Sequence, residues 1–116
     1  MITHEFMLDM TPNTGERPEE VNLNQGDTDY QLKVHLFASF AELNIESGTT
    51  AYICGTKPDS SSYSDAVSIN DDIVTVSGDA NMTDVAGTGV FEIVLTHSGK
   101  ETHSENFYVV VEPKTA

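Results

Sequence analysis

The sequence predicts an all-β domain, and more specifically an immunoglobulin-like antiparallel β-sandwich of about seven strands with one short helical turn. Along its 116 residues, short apolar runs are separated by clusters of Gly, Pro, Asn, Asp and Ser, which is typical of strands joined by turns. Within several runs, apolar and polar residues alternate with a period of two, as a half-buried strand requires. A single domain of this size can bury enough surface to fold without a metal ion or a disulfide.

The first 20 residues are predicted to form an N-terminal arm or an edge strand followed by a linker, the sandwich to span residues 21–113, and residues 114–116 to form a tail. Glu5–Met10 is a weakly apolar run, whereas Thr11–Glu20 contains two prolines and a glycine and is predicted as a loop. Two interpretations of this segment stay open. It packs on the sandwich, or it reaches a neighbouring subunit and adds a strand there.

Tyr30–Phe37 gives the clearest strand, with Leu32, Val34 and Leu36 on one face and polar residues on the other. Ala51–Cys54 is a second, shorter apolar run.

The turn that follows, Gly55–Asp59, has strong turn chemistry. Pro58 fixes φ, and the Asp59 side chain can bond the backbone near it. A serine-rich loop is predicted to continue to Ser64.

Asn70–Asp72 is a tight-turn signal between the apolar runs Ala66–Ile69 and Ile73–Val76, so these runs are predicted to form a hairpin. Asp79–Gly87 is the segment that favours a helical turn, since Met82, Val85 and Ala86 share one face and Gly87 can end the turn.

Gly89–Thr96 is predicted as a strand, and Ser98–Lys100 as the turn into the last strand, Phe107–Val111. Every residue of that last strand is apolar or aromatic, so both of its faces are expected to be covered. One face joins the core. The other meets either a neighbouring subunit or the domain's own N-terminal segment.

The chain carries 19 acidic against five basic residues, a formal charge of −14. Phosphate binding depends on clustered Lys and Arg, so nucleic acid and anionic membranes are not expected partners. A neutral or basic protein is the favoured partner, although a simply solvated acidic surface explains the charge equally well. No apolar run is long enough to span a membrane, and the N-terminus lacks a signal-peptide pattern, which predicts synthesis in the cytoplasm.

The sequence contains no recognisable catalytic, cofactor or metal motif, so we expect neither enzymatic activity nor a cofactor. Cys54 lies in an apolar run without a neighbouring His, which favours a buried, unreactive thiol. His97 and His103 flank a predicted turn and can approach across a hairpin, where two histidines would bind a metal only weakly. Such exposed pairs are more often incidental than metal ligands. The acidic clusters at residues 27–29 and 71–72 lack the spacing of a calcium loop and are explained as turn residues.

Three stretches carry a resemblance to a known family: Gly55–Asp59, Met82–Gly87 and Asn106–Glu112. Leu8–Pro12 and Asn24–Thr28 add to it. In this order and spacing, from about Phe6 to Pro113, the chain resembles the N-terminal domain of the baseplate upper protein family of tailed bacteriophages. It departs from the family's pattern in one loop, where serines at 60–62 and a tyrosine stand in place of a glycine often followed by an aromatic residue.

The resemblance implies an immunoglobulin-like domain of the virion that anchors a receptor-binding or fibre assembly, usually as an oligomer. Similar domains begin fibre proteins on capsids, so a capsid decoration or head-fibre protein is an alternative. A carbohydrate-binding adhesin is another, with Tyr30, Tyr52 and Tyr63 as its platform. The predicted interface residues are Tyr108 and Val110 on the last strand and Lys57, Pro58, Asp59 and Tyr63 in the loop.

Overall fold

The computed structural model describes residues 1–10, 19–38 and 41–115. Almost all the regular structure in these ranges is strand, which confirms the all-β prediction. The elements are β1 (Ile2–Asp9), β2 (Glu20–Asn24), β3 (Tyr30–Ala38), β4 (Ala41–Glu42), β5 (Thr50–Thr56), β6 (Ser62–Asn70), β7 (Ile73–Ser77), α1 (Ala80–Thr83), β8 (Gly87–His97), β9 (Lys100–His103) and β10 (Phe107–Glu112).

The strands form one mixed sheet in the order β1-β3-β7-β6-β5-β8-β10-β2, with β4 beside β3 and β9 beside β8. β6 joins its two halves, because Ser62–Val67 pairs with β5 and Ser68–Asn70 pairs with β7. The sheet is nearly closed and barrel-like. The predicted immunoglobulin-like sandwich is therefore not confirmed.

The sheet is also not wholly antiparallel. β1 runs parallel to β3, and β2 runs parallel to β10. These two strands end the sheet, and the chain between them includes residues 11–18, so most of the predicted Thr11–Glu20 loop lies outside the described residues. Apolar alternation reports which face a strand buries but not which strand lies beside it, so the sequence could not reveal this order.

The core follows the alternation predicted for Tyr30–Phe37. Leu32, Val34 and Leu36 are fully buried in β3, between β1 on one side and β7 on the other. Aromatic rings fill the centre of the barrel. Phe107 lies 5.2 Å from Phe6 and 6.1 Å from Phe91, measured between ring centroids.

The β6–β7 hairpin has the predicted turn. Asp71 and Asp72 adopt φ values of 51° and 65°, as the two central residues of a type I′ hairpin turn do. The Asp72 carboxylate also accepts a hydrogen bond of 2.9 Å from the backbone N–H of Ile45, which fixes the segment that precedes β5.

The helical turn expected within Asp79–Gly87 is α1, which is four residues long. Asp79 caps its N-terminus, since Oδ1 accepts a 2.9 Å hydrogen bond from the backbone N–H of Asn81. Met82 is 1% exposed and anchors the turn in the core.

Three strands differ from the sequence prediction. β2 and the two-residue β4 are not predicted as strands, and the turn at Ser98–Lys100 leads into β9 instead of directly into the last strand. β9 is exposed along its whole length. It therefore offers no apolar alternation from which a strand could be predicted.

Candidate docking surface

The last strand, β10, presents different surfaces on its two faces. Phe107, Val109 and Val111 are buried in the core. Tyr108 and Val110 alternate with them and are partly buried on the outer face. The neighbour on one side is β2 and on the other β8, so the N-terminal strand β1 does not pair with this strand.

The partly buried apolar side chains of this outer face form a continuous group. Val90 of β8 lies directly opposite Tyr108, and cross-strand partners share one face of a sheet. We call Val90, Tyr108 and Val110 the outer patch. On its β2 side it is bordered by Glu20 and Asn22, which lie opposite Tyr108 and Val110. The patch is thus apolar at its centre and polar along one border.

The loop between β5 and β6 is held by its own hydrogen bonds. The backbone N–H of Lys57 donates to Ser61 O at 2.8 Å, and Ser60 N–H donates to Lys57 O at 2.9 Å. The Asp59 carboxylate accepts from the hydroxyl and the backbone N–H of Ser61, and these bonds lower the pKa of Asp59. The turn at this loop is therefore ordered before any partner binds.

Lys57 ties the loop to the rest of the domain. Its Nζ lies 2.5 Å from Asp84 Oδ1, just past the end of α1, and its side chain is only 10% exposed. Pro58 lies against Gly87, where a Cβ atom would stand 2.9 Å from Pro58 Cβ. Gly87 also has φ of +126°, a conformation that L side chains rarely adopt.

These contacts bring together the three stretches that carry the sequence resemblance. Gly55–Asp59 meets Met82–Gly87 through the Lys57 and Pro58 contacts, and Gly87 pairs with Val111 of β10. The three stretches are distant in sequence but form one structural unit beside the outer patch.

Tyr63 occupies a different place from the one predicted. It was expected in an exposed loop, but β6 already begins at Ser62 and turns the Tyr63 ring inward. The ring packs edge-on against Phe91 at 5.8 Å, and the hydroxyl donates a 2.7 Å hydrogen bond to Asp79 Oδ2. Burial and this carboxylate raise the pKa of Tyr63. Its side chain is a core residue, whereas the loop residues Lys57, Pro58 and Asp59 lie at or near the surface.

A polar group on the outer face of β5, β8 and β9 surrounds Cys54. Glu92 accepts a 2.8 Å hydrogen bond from His103 Nδ1 and lies 3.7 Å from the Cys54 sulfur. Burial and the Glu92 charge raise the pKa of the Cys54 thiol, which keeps it protonated and weakly nucleophilic. Tyr52 donates to Glu101 at 2.8 Å, which raises the pKa of Tyr52 to about 12.

The metal-ligand candidates are dispersed. His97 lies 3.5 Å from Glu46, away from the His103–Glu92 pair. Among the residues the structure describes, no three His, Cys, Asp or Glu side chains are arranged to hold a metal ion. Nor does the described part of the chain contain a helix long and apolar enough to cross a membrane.

Together these features define a class: a small all-β domain with a mixed, nearly closed sheet whose two end strands each pair in parallel. The solved N-terminal domain of phage TP901-1 ORF48 has a similar fold, with a TM-score of 0.76 at 15% sequence identity. The match covers 97% of this chain and 99% of that domain. At 15% identity this likeness shows a similar fold. It supports the resemblance to the baseplate upper protein family, stated from the sequence, at the level of the fold. No family model matches the chain, and no curated protein matches it.

Proposed function

We propose that this protein is a non-enzymatic structural component of a phage virion that anchors a baseplate or fibre assembly through protein–protein contacts. The observation that carries the proposal is the fold likeness to an N-terminal domain of a phage protein, which extends over nearly all of both domains. The three sequence stretches that resemble the baseplate upper protein family also meet around Gly87 in the structure.

The outer patch and the adjoining loop are the surface we assign to docking. Tyr108 and Val110 offer partly buried apolar area on a rigid strand, and large aromatic side chains dominate interface energetics. The loop at Lys57–Ser61 is ordered by internal hydrogen bonds, which lowers the entropy that would be lost on binding. A formal charge of −14 favours a partner that is neutral or basic at its contact surface.

Localisation on virions tests the proposal directly. Immunogold labelling of phage particles that carry the protein should place gold at the tail tip if it belongs to the baseplate. Gold on the capsid would favour the head-fibre alternative. Labelling of neither structure would refute a virion role.

A variant comparison tests the surface. Replacing Tyr108 and Val110 together with serine should reduce incorporation into particles while the purified domain stays folded. Tyr52→Ser is the matched control, because Tyr52 is a partly buried tyrosine on the outer face of another strand, β5. Equal incorporation of both variants would contradict the assignment of the outer patch.

The adhesin alternative gains no support from the positions of the tyrosines. Of the three that were expected to form a sugar-binding platform, Tyr30 and Tyr63 are 2% and 7% exposed. Tyr52 remains at the surface, and its hydroxyl is bound to Glu101. A single ring does not make a stacking platform, so we do not propose carbohydrate binding.

A further inference from the structure

The nearly closed sheet has a free strand edge at each of its two ends, in addition to the edges of the short side strands β4 and β9. Within the described residues, β1 pairs with β3 alone and β2 pairs with β10 alone. An edge strand presents a row of backbone N–H and C=O groups to any chain that can pair with it. Only the backbone groups that do not already bond β3 or β10 are available to such a chain.

On β1 the available groups belong to the odd-numbered residues. The N–H of Ile2 donates to Asp29 O at 3.1 Å, toward β3. In a parallel pair, alternate residues bond the neighbouring strand, so Thr3, Glu5 and Met7 direct their backbone groups away from β3. Past Met7, the backbone groups on this edge of β1 are already hydrogen-bonded. Asp9 N–H donates to Glu105 Oε2 at 2.6 Å, and Asp9 O accepts from Glu105 N–H at 2.8 Å.

On β2 the available groups belong to the even-numbered residues. The N–H of Tyr108 donates to Glu19 O, and the N–H of Gln25 donates to Glu112 O, both at 2.9 Å. Odd-numbered residues therefore face β10, and Glu20 and Asn22 direct their backbone groups to the other side.

The two free edges line the same cavity. A space of about 400 Å³ is bordered by Thr3–Phe6 on one side and Glu19–Asn22 on the other. Following strand directions through the sheet order shows that β1 and β2 run in opposite senses. We call this space the edge slot. A chain entering it would run parallel to one edge and antiparallel to the other.

The edge of β1 lacks the usual protection against pairing. Its sequence contains neither Lys nor Pro, the residues that most often block an exposed edge. The exposed large apolar side chains of the described residues all belong to β1 or directly precede it: Met1 is 74%, Ile2 62% and Met7 56% exposed. Exposed apolar residues on an unblocked edge mark a site of association.

We propose that the edge slot binds an extended segment of a partner protein in which Lys or Arg alternates with apolar residues, and that this segment adds a strand to the sheet. The negative charge at the slot favours a basic partner segment over a second copy of this chain. Glu19 and Glu20 carry carboxylates at the slot, where the third carboxylate, that of Glu5, is already paired with His35. A second copy with a charge of −14 would therefore bring like charges together. A basic segment places its cations against them. The inference deepens the proposed docking function, on which it rests, by naming the chemistry of one partner segment.

A peptide titration of the ¹⁵N-labelled protein tests the proposal. The probe is a peptide of about ten residues, a common strand length, that alternates Lys and Val. Its control alternates Glu and Val. We expect the lysine peptide to slow hydrogen exchange at the backbone amides of Thr3, Glu5, Met7, Glu20 and Asn22, and to bind more weakly as salt is raised. Equal binding of the glutamate peptide, or protection confined to amides outside the two edges, would overturn the proposal.

A proline variant isolates the backbone contribution. Met7→Pro removes an N–H that points away from β3, so the β1–β3 ladder stays intact. It should weaken binding of the lysine peptide about tenfold, the equivalent of one or two lost hydrogen bonds. Met7→Thr is the matched control, because it removes the same apolar side chain and keeps the N–H.

Three further outcomes are informative. A thermal melt shows whether Met7→Pro is folded. If it is not, Glu20→Lys replaces it as the test, because loss of a slot carboxylate should weaken binding of the lysine peptide. Unchanged binding by a folded Met7→Pro would refute strand addition. Failure of virion labelling with intact peptide binding would refute the virion role alone, and the reverse result would refute the edge slot alone.

Discussion

Tyr63 donates a 2.7 Å hydrogen bond to Asp79 Oδ2, while the other oxygen of the same carboxylate caps α1 through Asn81. The backbone of Asp79 also exchanges two hydrogen bonds of 3.2 Å with the Tyr30 hydroxyl. One residue thereby connects β6, β3 and the helical turn. The connection explains why a tyrosine next to a serine-rich loop belongs to the core.

Asp79→Ala is expected to lower the free energy of unfolding by about 2–3 kcal/mol, from loss of a helix cap and of a partner for a buried hydroxyl. Tyr63→Phe should cost about 1 kcal/mol, because it removes the donor and leaves the cap in place. Urea unfolding of both variants measures the difference. Asp65→Ala, at an exposed position of β6, is the control, and an equal loss in the control would contradict this role for Asp79.

Stability is expected to fall at alkaline pH through the same tyrosines. Burial raises the pKa of both Tyr30 and Tyr63 above 10. The folded state then holds protons that the unfolded state releases, so their contribution is full below about pH 10 and is lost as pH rises above it. The urea midpoint should therefore drop as pH rises above about 10, and less steeply in Tyr63→Phe. Identical slopes in the two proteins would contradict the prediction.

His35 on β3 is expected to titrate above its ordinary value. Its ring nitrogens lie 2.5 Å from Glu5 and 3.3 Å from Glu42, and hydrogen bonds to these carboxylates raise the pKa of His35. The stabilisation is complete below about pH 6.5 and is lost as pH rises through the raised pKa. Both carboxylates are about half exposed, so we expect less than about 1 kcal/mol.

Proton NMR titration of the His35 ring measures this shift. Glu5→Gln should lower the pKa of His35 more than Glu42→Gln, since the Glu5 contact is the shorter one and the larger cause. An unchanged His35 titration in Glu5→Gln would show that the pair does not form.

Gly55→Ala should destabilise the protein by about 3 kcal/mol or more, at the upper end of overpacking costs. A Cβ atom at Gly55 would lie 2.1 Å from Val90 O and 2.7 Å from Phe91 Cα, so backbone would have to move. Gly99→Ala is the control. It has φ of +77° but nothing within 4 Å, so only the left-handed conformation is penalised, by about 1 kcal/mol. Thermal unfolding compares the two, and an equal loss would contradict the close approach of β5 and β8.

Elements specified by local sequence could be predicted. β3 follows from the alternation around Leu32–Leu36, and the β6–β7 hairpin follows from the aspartates at its turn, which accept positive φ. β2 was missed although Val21 and Leu23 alternate with polar residues, because five residues with two apolar positions give only a weak strand signal. Their burial depends on β10, a strand near the other end of the chain. Such pairings leave no local signal.

The candidate surface could be predicted only in part. Tyr108 and Val110 were identifiable because a strand with apolar residues on both faces has one face beyond the core. Tyr63 was misplaced because the carboxylate that holds it, Asp79, comes from a separate segment. The edge slot had no sequence signature, since it arises where the sheet fails to close.

The parallel pairing of β2 with β10 has a consequence for how the chain folds. Val21 pairs with Val109 and Leu23 with Val111. The second strand to be synthesised can therefore pair with its neighbour only after the last strand has been synthesised. Non-local pairing of this kind slows folding and leaves apolar side chains accessible in the interim. A nascent chain released before Phe107 would keep Val21 and Leu23 uncovered and would be a substrate for chaperones or for aggregation.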